Sequence, residues 1–185
     1  MNRLLNIHDA TKELNILRSL DGYKRPFVLV GTYRLIDDGT CPEATVSIRA
    51  EHGEMHEAAT GVGPVDALAG VLKKSLASIF PFIDKVKLVD FSSRIHDTKA
   101  GTAASVEVTI IFTNGKDIWS VASTSENINM ASFMALIDGF EYAIQLMGLP
   151  SPPSSKLADP DEVRSGLGLC SSAEPPPHKK EGTGC

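Results

Sequence analysis

An α+β fold built from two copies of a strand–strand–strand–helix unit is predicted by three features of the sequence. Between Pro26 and Met147, short runs of β-branched and aromatic residues alternate with turn signals, and they do so twice. Each set is followed by apolar residues at helical spacing: Val65, Leu68, Leu72, Leu76 and Ile79 first, then Phe133, Leu136, Phe140, Ile144 and Met147, pairwise 68 positions apart. Ala67-Leu68 and Ala135-Leu136 fall into register under the same offset. The units, about 26–82 and 86–148, are therefore expected to be pseudo-symmetric βββα repeats, each burying one helix face against a three-stranded antiparallel sheet. A unit of about 60 residues buries too little surface to stand alone. The two should pack on each other and on a second chain, which makes a homodimer the expected state.

Taken in order, Asp9 to Leu20 places Leu14, Leu17 and Leu20 on one helical face and is stopped by Asp21-Gly22, so residues 1–24 read as a lead-in helix. The first unit opens with a strand from Phe27 to Ile36, turns at Asp37-Asp38-Gly39, continues as Ala44–Arg49, turns at His52-Gly53 and ends in a strand near Glu54–Ala59. In the second, Val86–His96, Ala104–Phe112 and Asp117–Ser123 read as strands, with Asn114-Gly115 as the hairpin signal between the last two. Residues 25–149 thus form the folded body. Seven of the eleven prolines lie from Pro150 onward among few apolar anchors, so 150–185 is expected to be a disordered tail.

The net charge of −5 and the lack of any Lys/Arg cluster give no electrostatic footprint for a nucleic-acid backbone. No apolar stretch approaches the roughly 18–20 residues that span a bilayer, and the N-terminus lacks a signal-peptide pattern; a cytoplasmic protein without membrane contact is expected. Cys41, Cys170 and Cys185 fit neither a disulfide framework nor a zinc site, so free thiols are expected. His52 and His56 flank a turn without further ligands in view, and His96 with Asp97 lacks a paired nucleophile; no metal, no cofactor and no catalytic residue is assigned. Trp119 reads as core or interface.

Two corners stand out. Gly61-Val62-Gly63-Pro64-Val65-Asp66 reads as a strand-to-helix corner, with Pro64 at the first helical position and Asp66 complementing the helix dipole. Its free N–H groups would also receive a carboxylate. At the matching place in the second unit, Ser123–Ser132 is rich in N-capping residues, and Glu126 and Asn127 offer acceptors for an ammonium group.

Together, Glu43–Val46, Ala59–Leu68, Val89-Asp90-Phe91 with Ala100–Ala104, and Ser125–Ile128 with Ala131-Ser132 resemble the C-terminal allosteric, dimerisation domain of 2-isopropylmalate synthase and citramalate synthase, over about residues 25–148. Gly-Thr-Ala-Ala and Ser-Glu-Asn-Ile are closer to the citramalate branch. The resemblance implies a feedback effector, isoleucine or leucine, in a pocket lined by Gly61, Val62, Gly63, Pro64, Val65, Leu88, Phe91, Ile95, Ala103 and Ile128. Leu88, Phe91 and Ile95 share one face only if their strand carries a bulge or bend. The resemblance also implies a catalytic (β/α)8 barrel, for which 185 residues leave no room. The chain is expected to be the non-enzymatic regulatory part, with a catalytic synthase chain in trans as a partner. The alternative is a non-sensing dimerisation module, or half of a split acyl-CoA condensing synthase.

Overall fold

The computed structural model describes residues 7–51, 53–95 and 104–148; Ala103, His52, His96, Asp97 and the 150–185 tail lie outside them. The elements run β1 (His8–Asp9), α1 (Ala10–Ser19), β2 (Phe27–Leu29), β3 (Arg34–Ile36), β4 (Glu43–Ala50), β5 (Gly53–Thr60), α2 (Pro64–Ala77), a 3-10 turn (Pro81–Lys85), β6 (Lys87–Ile95), β7 (Val106–Thr113), β8 (Ile118–Ser125) and α3 (Ile128–Met147). The fold is α+β, and after the lead-in helix the order of strands and helix repeats as expected.

In the first sheet β4 lies in the middle, with β5 along one side and β2 and β3 in series along the other, all antiparallel. The single strand expected over Phe27–Ile36 is in fact two. Pairing runs from Phe27–Ala50 to Leu29–Ile48 and resumes at Arg34–Thr45, so residues 30–33 face only residues 46–47 of β4. Val30 still donates its N–H to the Ser47 carbonyl at 2.8 Å. Gly31 then turns the chain out with a φ of +79°, a region glycine enters without strain. The detour swings the Tyr33 ring onto Phe133, with centroids 4.5 Å apart.

The second sheet has the order β1-β8-β7-β6, with β6, β7 and β8 antiparallel. The two-residue strand β1, which has no counterpart among the sequence expectations, pairs parallel with β8 through His8–Trp119 and Asp9–Ser120. The Asn114-Gly115 hairpin forms with a four-residue loop, because Thr113 pairs with Ile118. Asn114 Oδ1 accepts the N–H groups of Lys116 and Asp117, a side-chain turn typical of Asn.

Helix α2 covers β4 and β5, α3 covers β7 and β8, and the helices pack on each other, so the two units share one core. Alternation explains the inward faces: Ala44, Val46 and Ile48 on β4 and Val108, Ile110 and Phe112 on β7 are buried. Leu68, Leu72 and Leu76 are fully buried along one stripe of α2, where truncation to Ala would cost about 2–5 kcal/mol each. Helix α1 buries Ala10 and Leu14, whereas Leu17 is half-buried and Leu20 is exposed beyond the helix end, so the lead-in face is narrower than the leucine spacing suggests. No helix among the described residues is long and apolar enough to cross a membrane.

Candidate functional site

The Gly61–Val65 corner joins β5 to α2. Gly61 donates its N–H to the Pro42 carbonyl at 3.0 Å, and a Cβ there would sit 2.3 Å from the Ala67 nitrogen, so the first turn of the helix rests directly on this glycine. Val62 donates its N–H to Asp66 Oδ2 at 3.0 Å, while its side chain is 96% exposed. Asp66 thus braces the corner from inside the helix. Gly63 is the extended N-cap residue and Pro64 opens the helix. The N–H groups of Val65 and Asp66 belong to the first turn, where the helix itself supplies no acceptor. Val65 is half-buried against the core.

Strand β6 carries the expected irregularity. Leu88 pairs with Phe112 and Asp90 with Ile111, leaving Val89 as the extra residue. Phe91 then pairs with Ile110 and Ile95 with Val106. Directly paired residues share a face, so Leu88, Phe91 and Ile95 all lie on the side of the sheet that carries α3. Yet Leu88 is 39% exposed, Ile95 60% exposed and Phe91 only half-buried.

Under the repeat offset the two helices begin at different places. Pro64, where α2 begins, corresponds to Ser132, but α3 begins at Ile128. Helix α3 therefore has one additional N-terminal turn where the first unit has Gly61-Val62-Gly63. Leu29, Tyr33 and Leu35 of the first unit are half-buried against the core, as Phe91 is. Between α2 and the start of β6 lies a cleft of about 380 Å³ bounded by Asp66, Ala69, Gly70, Leu88, Phe112 and Phe140; of the residues expected to hold an effector, Leu88 alone lines it. Lys73, two turns along α2, ties the helix to the start of β6 by donating to the carbonyls of Asp84 and Val86 at 3.0 and 3.1 Å.

The second corner is a helix cap. Asn127 Oδ1 accepts the N–H groups of Asn129 and Met130 at 2.8 and 3.2 Å, so the acceptor proposed for an ammonium group is already committed. Glu126 and Ile128 are exposed beside it. Register places this corner at the Ile95 end of the sheet, since Ile95 pairs with Val106 and Val106 with Ser125. Leu88 to Ile95 spans seven strand steps, about 23 Å at roughly 3.3 Å per residue. Within one chain the structure thus gathers the first turns of α2 with Leu88 at one end, and Ile95 with Glu126, Asn127 and Ile128 at the other.

Sequence reasoning missed a buried ionic cluster on α3. Glu141 is 1% exposed and accepts from Arg18 Nη2 at 2.7 Å, Arg25 Nη2 at 2.9 Å and the Tyr23 hydroxyl at 2.8 Å. Arg18 also bridges to Asp138, and Gln145 Nε2 donates to the Tyr23 oxygen at 3.1 Å. Burial alone would raise the Glu141 carboxyl, but the hydrogen bonds from Arg18 and Tyr23 and the charges of Arg18 and Arg25 outweigh it and hold the group below its ordinary range. Tyr23 is pushed up to about 12 by burial and the Glu141 carboxylate. The available signal was an Asp and a Glu three residues apart in a 20-residue helix that is otherwise uncharged. Of the other singled-out residues, Trp119 is core, donating Nε1–H to the Gly139 carbonyl at 3.2 Å. His56 Nδ1 lies 2.8 Å from Ser47 Oγ, its direct partner across β4 and β5, and Cys41 is exposed and free.

Fold and cleft together define a duplicated α+β domain with an open groove between α2 and the start of β6. The chain belongs to the LeuA allosteric (dimerisation) domain family, whose model matches residues 13–144. It is 34% identical over 142 residues to an (R)-citramalate synthase of Geobacter sulfurreducens and 36% identical over 142 residues to one of Aquifex aeolicus; each alignment covers 74% of this chain and 27% of the relative. An (R)-citramalate synthase of Synechocystis is 33% identical over 148 residues, with 75% and 27% covered. The chain therefore spans about a quarter of the length of these curated relatives.

Proposed function

We propose that this chain is a regulatory domain of the 2-isopropylmalate and citramalate synthase type that binds a branched-chain amino acid, isoleucine or leucine, as a feedback effector and works in the cytoplasm as a homodimer. The observation that carries this reading is the open cleft between α2 and the start of β6, where Leu88 and Phe112 lie beside Asp66 in the first turn of the helix. The effector carboxylate would meet the N–H groups at the Gly61–Val65 corner, and its side chain would lie against Leu88 and Phe91. Residues about 23 Å apart cannot line one amino-acid pocket. They converge if a second copy sets its Ile95 and Glu126–Ile128 end against the first copy's Gly61–Leu88 end, an arrangement that also covers exposed Leu88, Val89 and Ile95. A catalytic synthase chain is the partner whose activity such binding would control, through a coupling of about 1–3 kcal/mol.

Isothermal titration of the purified chain with isoleucine, leucine and valine, alongside sedimentation velocity, tests this. Saturable heat with at least one of the first two, on a dimer, is the expected result. An apolar pocket separates such isomers by about 1–3 kcal/mol, so one should bind better than the other. A folded dimer that gives no heat with any of the three would make the domain a dimerisation module without a sensor.

A further inference from the structure

One turn of α3 serves two structures at once. Asp138 and Glu141 hold Arg18 and Arg25 of the N-terminal arm, residues 8–25, whereas Phe140 between them forms part of the cleft beside β6. Gly139 completes the turn: a Cβ there would fall 2.2 Å from Phe112 Cε2, so the helix lies flat on a second ring that bounds the cleft. From Phe112 a chain of ring contacts leads back to the arm. Phe112 stacks on Trp119 at 5.9 Å, Trp119 meets Tyr142 at 5.8 Å, and Tyr142 stacks on His8 at 5.8 Å. The Tyr142 hydroxyl donates to Glu13 Oε2 at 3.0 Å, and the Thr11 hydroxyl accepts the Ala122 N–H at 2.8 Å.

Held by so few backbone bonds, the arm depends on these contacts. Strand β1 is two residues long, and a helix of ten residues such as α1 does not persist in isolation. Its two guanidinium anchors and the cleft's aromatic wall are fixed to the same helical turn, so a shift of that turn must be felt by both.

We propose that the arm is the output element of the cleft: filling the cleft tightens the docking of residues 8–25 on α3, and loosening the arm weakens binding in the cleft. Reciprocity is required of any such coupling. The inference rests on the effector reading above for its natural ligand, but the coupling itself can be read without that ligand.

Amide hydrogen exchange of residues 10–20 in the full chain is the test, with the amides of β7 as the reference for global opening. Saturating isoleucine or leucine should slow exchange across 10–20 by about threefold or more while β7 changes less. Arg18→Met should speed arm exchange by tenfold or more and weaken effector binding by a similar factor. Binding of an effector with arm exchange unchanged would overturn the coupling and leave the sensor standing. Should neither amino acid bind, Leu88→Trp, which places a ring in the cleft from its exposed side, takes the place of the ligand. A change in arm exchange there supports the coupling without the sensor, and unchanged exchange overturns it.

Discussion

Glu141 shows what a single side chain contributes to this fold and at what pH. Its carboxyl is buried, yet Arg18, Tyr23 and Arg25 hold it below its ordinary value of 4.5. A carboxylate whose pKa is depressed by folding adds stability that is present above the unfolded value and lost as the pH falls through the folded one. The cluster should therefore stabilise the protein fully at neutral pH and weaken progressively below about 4.5. Glu141→Gln should lower stability at pH 7 by about 3 kcal/mol, the low end for breaking a buried ion pair. In urea unfolding followed by Trp119 fluorescence, the gap between variant and wild type should narrow as the pH drops below that window. An equal gap at pH 7 and pH 3 would contradict the assignment. At Gly61 the constraint is steric. Gly61→Ala places a methyl 2.3 Å from the Ala67 nitrogen, so the first turn of α2 must move, at a cost of about 3 kcal/mol. Thermal unfolding near that of the wild type would show that the corner is looser than described.

Among the elements, both βββα units were legible in the sequence because turn residues and the 68-residue repeat of apolar spacing are local signals. The break in Phe27–Ile36 was not, since a continuous apolar run hides a detour set by pairing with β4 and by Gly31. The bulge in β6 was foreseen as a requirement of placing Leu88 and Phe91 on one face, and the register puts it at Val89. Strand β1 was invisible, because two polar residues carry no periodicity and their pairing is with a partner more than a hundred positions away. Of the candidate site, the α2 corner and β6 were readable as motif and alternation. The commitment of Asn127 to capping was readable only as one of two uses, and the Glu141 cluster depends on long-range packing of three separate segments. An element-scale consequence concerns β6 itself: Ile95→Lys removes an exposed apolar group, so the monomer should change by less than about 0.5 kcal/mol. Its dimer should dissociate at least tenfold more readily in sedimentation equilibrium. A dimer as tight as wild type would move the interface away from this strand.

At the scale of the whole molecule, two repeats close into one core but do not close equally. Tyr33 of the first unit packs on Phe133 of α3, whereas α2 leaves an open cleft beside Leu88 of β6. An internal duplication that kept both sites filled would be a rigid scaffold, whereas one filled and one open site gives a ligand a place to act on the packing between units. The arm is held by the turn of α3 that also carries Phe140 to the cleft, which is why effector and arm are expected to respond together.

The most direct measurement is a ¹H–¹⁵N correlation spectrum of the labelled chain titrated with isoleucine and with leucine. Coordinated, saturable shifts of the Gly61, Gly63, Val65, Leu88 and Phe91 amides are the predicted result. Shifts confined to the opposite face of the first sheet, around Arg34, Thr45 and Ser47, or no shift with either amino acid, would contradict it.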